Sequence, residues 1–185
     1  MQEIASSGQL RMALLRWLLL TVPAVLGLGA LSMRLALSAH ARRWFAALQG
    51  PQSDLHFLNW GWVLCYMALA VALALLIAAR GASGRGIAVT LILTTAAVLL
   101  VWHPIVFGMQ LLTLGCWLAA GTALLALLSA MSTWRIRPVA ALLLLVVAAW
   151  LTFITLAFFQ LDAQNPDAES LVVPAASTNI NIMSR

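Results

Sequence analysis

The apolar residues of this chain come in long blocks, and charges mark where the blocks end. Residues 17–33 carry no charge between Arg16 and Arg34; extending a turn into Met12–Leu15 predicts a first helix over about 12–34. Pro23 lies inside it and predicts a mild kink, which membrane helices tolerate. A second block, Phe57–Ala79, ends at Arg80, ahead of the Gly/Ser turn "RGASGR" with a charge at each end. From Gly86 to Thr133 there is no Asp, Glu, Lys or Arg. A single helix of that length would run about 70 Å at ~1.5 Å per residue, against a hydrocarbon core ~30 Å thick. The run must therefore fold back, and its breaker is "WHPIVFG", where Pro104 and Gly108 bracket a turn. Helices over 86–103 and about 108–132 follow. "TWRIRP" makes the next turn, with Pro138 at a first helical position, and 138–161 is the fifth block.

Composition turns these blocks into membrane spans. Of 185 residues 64% are hydrophobic and 8% charged, against about 25% charged in a soluble domain. The expectation is an all-α integral membrane protein, a five-transmembrane-helix bundle. It forms one domain over 1–161, with spans at about 12–34, 57–79, 86–103, 108–132 and 138–161. A connecting loop spans 35–56, and 162–185 is a polar tail, "LDAQNPDAE" and then Ser/Asn-rich, with the composition of a disordered segment. The formal charge of +5 carries no sign of nucleic-acid binding, because the arginines flank apolar blocks as membrane anchors do. The absence of lysine beside abundant Ala, Leu and Arg points to a bacterial cell membrane, inner or outer left open. The first block has no small-residue cleavage site and is expected to be retained.

An odd number of spans places the termini on opposite sides. Arg11, Arg16, Arg80, Arg85, Arg135 and Arg137 share the N-terminal side. Arg34, Arg42, Arg43 and Arg185 lie on the other, offset by Asp54, Asp162, Asp167 and Glu169. The bias of positive charge toward the cytoplasm then places the N-terminus inside, with the 35–56 loop and the tail outside.

Chemistry-bearing residues are few. No span contains Asp, Glu, Lys or Arg, which argues against ion-coupled transport. No nucleophile–base pair, metal cluster or phosphate loop is visible, so the expectation is no enzyme and no obligatory cofactor. Cys65 and Cys116 fall inside apolar runs and read as small buried residues. His40, His56 and His103 fall at predicted edges; an interfacial role is the plain reading and haem-iron ligation the sharper one.

The aromatic residues are more telling. Trp62, Tyr66 and Ala70 align at i, i+4 and i+8; Trp150, Phe153 or Ile154, and Ala157 align on the fifth helix; Trp102 closes the third. Trp17, Trp44, Trp60 and Trp134 suit interfacial belts. Trp117 and Trp150 fall deeper in their helices, where an indole N–H needs a partner, and so favour the bundle interior and an aromatic-lined cavity. Gly115, Ala119 and Ala123 recur every four residues and form a small-residue packing face, within the bundle or across a dimer.

In combination these pieces resemble the TspO/MBR family (tryptophan-rich sensory protein, translocator protein). Its first loop reads roughly W-Y-x-x-L-x-x-P, matched by Trp44, Phe45, Leu48 and Pro51; its second helix carries W-x-x-L-Y, matched by Trp62 and Tyr66 with Cys65 in place of the Leu. The turn W-S/P-P-x-F-F-G is matched by Trp102, His103, Pro104, Ile105, Val106, Phe107 and Gly108. "TWRIRPVAALLL" and Trp150–Thr155 follow in family order. Departures are the missing second proline near Ser53–His56, Val146–Val147 before the fifth-helix Trp, Ala157–Phe158 after it, and no acidic residue in the fourth helix. Tyr66 is the only tyrosine, so a C-terminal cholesterol motif is excluded.

The resemblance implies a five-helix bundle, often dimeric, that binds porphyrin, haem or other flat hydrophobic ligands between its helices beneath the first loop as a lid. On that reading Trp44, Pro51 and Trp60 belong to the lid, and Trp62, Tyr66, Trp102, Pro104, Trp150 and Phe153 to the pocket. The partners implied are membrane lipid, a tetrapyrrole or similar small molecule, and a second copy of the chain. Binding and sensing is the leading function; export and porphyrin breakdown are the alternatives.

Overall fold

A computed structural model describes residues 7–49 and 55–171. The helices are α1 Ser7–Ala36, α2 Ala39–Ala47, α3 Leu55–Ala78, α4 Arg85–His103, α5 Leu112–Trp134 and α6 Pro138–Gln164. Five of them, all but α2, are long and apolar enough to cross a membrane. Chain reversals alternate their directions, so α1, α4 and α6 end where α3 and α5 begin. Helix α3 is the centre of the bundle and packs against α1, α4 and α6, while α5 lies along α6. The apolar window of α3 is 61% buried and that of α1 only 11%, so α1 leaves most of its surface for lipid.

With lipid outside, hydrophobicity alone does not drive helices together; close packing and polar clasps do. Thr21 Oγ1 lies 3.0 Å from Ala70 O and joins α1 to α3, and Cys116 Sγ, 3.6 Å from Thr155 O, joins α5 to α6. Ser32 Oγ donates to Leu100 O at 2.5 Å. That carbonyl is the one left without its i+4 partner by Pro104, which has no N–H. A serine on α1 therefore completes the hydrogen bonding that a proline on α4 interrupts. Arg85 Nη1 donates to Ile77 O at 3.3 Å, covering a terminal carbonyl of α3 across the Gly81–Gly84 turn. Both of those glycines have positive φ, 79° and 77°.

Three expectations about the elements are corrected. The 35–56 connection is not all loop: it contains α2. Ser38 caps this helix, its Oγ accepting from Ala41 N–H at 3.1 Å. Ala41, Trp44 and Phe45, at i, i+3 and i+4, bury one face. The turn near 104–108 is not where the chain reverses. Pro104–Gly108 continues α4 as a π-helical turn, with Met109 N–H donating to Pro104 O at 2.9 Å. The reversal comes at Met109–Leu111, where Gln110 has φ 60°, and α5 starts at Leu112. Residues 162–171, expected in the disordered tail, hold the last turn of α6 and a 3₁₀ turn, Ala168–Ser170, whose Ala168 is buried. Residues 172–185 lie outside the described residues.

Candidate functional site

At the end of the bundle where α1, α4 and α6 finish, a cavity of about 290 Å³ opens between α1 and the stretch after it, α2, α3, α4 with its π-turn, and α6. Aromatic residues make its walls: Phe45 from α2, Trp62 from α3, Trp102 from α4, Phe107 from the π-turn and Phe158 from α6. They brace one another. Trp62 and Trp102 have ring centroids 4.9 Å apart, Trp102 meets Phe158 edge-on at 5.1 Å, and Phe45 meets Phe107 edge-on at 5.5 Å. Such pairs add about 0.5–1.5 kcal/mol beyond area burial. Trp102 is fixed further by its indole N–H, which donates to Gly115 O at 2.8 Å. Gly115 also lets the π-turn close in: a Cβ there would overlap the Val106 side chain.

Helix α2 is held over this end by bonds to residues beyond α6. Trp44 is 0% exposed, and its indole N–H donates to Ala168 O at 2.8 Å. Gln49 N–H donates to Asn165 Oδ1, and Asn165 Nδ2 donates to Gln49 O, both at 2.7 Å. Asn165 Nδ2 also bonds Leu161 O at 2.7 Å, so the amide ties α2 to the end of α6.

Behind Trp62 lies a second layer. Tyr66 packs on the backbone of Gly29, where an added Cβ would come within 2.7 Å of the ring. Its hydroxyl is 3.3 Å from Leu99 O and 3.4 Å from His103 Nδ1. One phenolic proton cannot serve both. When it goes to Leu99 O, His103 Nδ1–H donates to the tyrosine oxygen, and the bare Nε2 lone pair is left without a partner among the described residues. His103 is 0% exposed, with Trp62 at 4.7 Å and Trp102 at 5.3 Å between ring centroids. Its expected interfacial placement is thereby corrected: α4 runs on past it into the π-turn, so His103 lies inside the bundle. Trp150 sits edge-on to Trp62 at 6.1 Å and covers Gly61, where a Cβ would collide with the indole.

Of the residues named from sequence, the cavity wall therefore takes Trp62 and Trp102. Trp44 lies on the bundle side of α2, and Tyr66 and Trp150 support Trp62. Pro104 starts the π-turn and is not on the wall. Trp60 is 68% exposed and Phe153 is also exposed, so neither meets the cavity. Phe153 rests on Trp150 of its own helix, ring centroids 5.4 Å apart. Pro51 lies outside the described residues. Gly115, Ala119 and Ala123 are all buried within the single chain. Trp117, expected inside, is 71% exposed, because α5 turns its small residues inward and the indole outward.

Phe45, Phe107 and Phe158 were missed as site residues, along with Arg42 and Asn59 at the rim. Phe158 could have been found: it continues the buried Leu151, Ile154 stripe at helical spacing. Arg42 and Asn59 carried no periodic signal.

Taken together, fold and cavity define a multi-pass integral membrane protein with five spanning helices around an aromatic chamber at one end. A family model, that of the TspO/MBR family, matches residues 19–163, which include every wall residue of the cavity. The chain belongs to the TspO/MBR family, membrane proteins that bind and sense tetrapyrrole-like ligands in general terms. A search of curated proteins finds no significant match.

Proposed function

We propose that this protein binds flat lipophilic molecules of the tetrapyrrole class in the cavity beneath α2, and acts as a membrane binding and sensing protein. The observation that carries the reading is the cavity itself: five mutually braced aromatic side chains around about 290 Å³ of apolar space. Flat π-systems suit such walls by stacking and by apolar burial. The volume is at the small end of the usual range of about 300–1,000 Å³. A macrocycle therefore enters edge-first, with α2 displaced outward or part of the ring left at the mouth. A micromolar Kd is about 8 kcal/mol. At ~25 cal/mol per Å² that needs on the order of 300 Å² of buried apolar ligand surface, and more once association entropy is counted.

The arginine distribution supports a cytoplasmic N-terminus in a bacterial cell membrane, with the cavity end on the outer side. Arg42, which is exposed, is the one ionisable residue that lines the cavity, and its aromatic walls carry none, which favours binding over coupled transport.

The test is a titration of the detergent-solubilised protein with protoporphyrin IX, following quenching of tryptophan emission. Saturable quenching in the micromolar range is expected, weakened about tenfold or more in Trp62→Ala, as the loss of one stacking wall implies. Helix content by circular dichroism checks that the variant is folded. Linear, unsaturable quenching in the wild type would mean partition into the micelle and would end the proposal.

A further inference from the structure

The lining of the cavity is apolar except for Arg42 of α2 and Asn59 of α3, both exposed and so at its rim. Arg42 stands apart from the arginine beside it. Arg43 Nε donates to Ala39 O at 3.3 Å and is engaged with its own helix. The Arg42 side chain makes no hydrogen bond or ion pair among the described residues, and it is exposed. Its position follows from the helical register. Arg42, Phe45 and Ala46, at i, i+3 and i+4, form the stripe of α2 that borders the cavity. Ala41, Trp44 and Leu48 form the adjoining buried stripe.

A guanidinium at the boundary between water and an aromatic chamber is placed to pair with an anionic group of a molecule in that chamber. Its planar fork pairs with a carboxylate, and at the rim neither charge has to leave water fully. The Asn59 amide adds a second donor across the mouth. Resting on the reading of the cavity as a ligand site, we infer that the bound molecule is an amphipathic acid. Its flat apolar body lies among Trp62, Trp102 and Phe107, and its carboxylate is held at the mouth by Arg42. Arg42 is thus a specificity-determining residue: it sets which end of the ligand enters and discriminates acids from neutral analogues of the same shape.

The probe pair is 1-pyrenebutyrate and its methyl ester, which share one flat body and differ in the charge. Binding to the full chain in a neutral detergent is read by energy transfer from tryptophan to pyrene. The wild type should bind the acid about fivefold more tightly than the ester, the scale of a partly solvated ion pair. In Arg42→Gln the two probes should bind alike, with the affinity for the ester as in the wild type. Arg42→Lys should keep part of the preference, and Arg43→Gln all of it. Added salt should weaken only the acid.

Equal affinities for acid and ester in the wild type would overturn the inference while leaving the cavity reading intact. So would a preference that survives Arg42→Gln. A preference abolished by added phosphatidylglycerol would assign the guanidinium to a lipid headgroup and also overturn it. Failure of the wild type to bind either probe saturably would overturn the cavity reading itself.

Discussion

Replacing Trp44 by Phe tests whether α2 is held in place from the C-terminal side of the bundle. The indole is 0% exposed and its N–H reaches Ala168 O at 2.8 Å, its one side-chain hydrogen bond among the described residues. Phe keeps a ring at the position but has no donor. The lost hydrogen bond is worth about 0.5–1.5 kcal/mol; Ala168 O still accepts from Leu171 N–H at 3.4 Å, so the carbonyl is not left without a donor. Trimming the bicyclic ring adds a cavity term of the order of 1 kcal/mol. A net loss of about 2 kcal/mol is expected for the closed position of α2. At about 1.4 kcal/mol per factor of ten, about thirtyfold more opening follows.

Hydrogen–deuterium exchange of the α2 amides is the assay, with the centres of α5 and α6 as internal reference. Exchange in α2 should accelerate by one to two orders of magnitude while α5 and α6 stay unchanged. Because α2 carries Phe45 of the cavity wall, ligand affinity should fall in parallel. Unchanged α2 protection would show that the Gln49–Asn165 pair or packing alone holds the helix, and would refute the reasoning. Equal acceleration throughout would show that Trp44 supports the whole bundle rather than α2.

Two further substitutions test the geometry behind the cavity. Gly61→Ala places a methyl group inside the Trp150 indole; overpacking of this kind costs typically about 1–3 kcal/mol, so thermal unfolding in detergent should shift down and the tryptophan emission should change. An unshifted transition with unchanged emission would mean that Trp150 does not rest on Gly61. Trp117→Leu removes a side chain that is 71% exposed; stability and ligand quenching should stay within about 0.5 kcal/mol of wild type, and a large loss would place Trp117 at an interface.

The span reading succeeded because it needs only local quantities. Length and hydropathy are properties of consecutive residues, and the thickness of the bilayer turns them into helices with little help from tertiary context. Pro138 and the "RGASGR" turn were legible for the same reason. The spacing of Trp62 with Tyr66, and of Trp102 with Gly108, likewise survives in the sequence as a family pattern, and it pointed to the end of the bundle where the cavity lies. Residues 35–48 were harder. Their helix depends on one cap at Ser38 and on burial of Trp44 and Phe45 by distant partners such as Ala168, 124 positions away along the chain from Trp44.

By itself, then, the sequence determined that this is an integral membrane protein of five spanning helices, where each span lies to within a few residues, and that it belongs to a tryptophan-rich family. The tertiary structure alone decided which way each helix faces. In a soluble protein, apolar residues mark the buried face; here lipid and core are equally apolar, so blocks of Leu, Ala and Val carry no such mark. Trp117 and Trp102 are indistinguishable by hydropathy, yet one faces outward and the other braces the cavity. His103 lies inside because α4 continues past it as a π-turn instead of ending there, and Ser32 from another helix occupies the carbonyl left free by Pro104. The cavity is a meeting of five elements, and its shape depends on how close they come. Gly29, Gly61 and Gly115 set that distance by letting a ring or a neighbouring side chain rest directly on backbone.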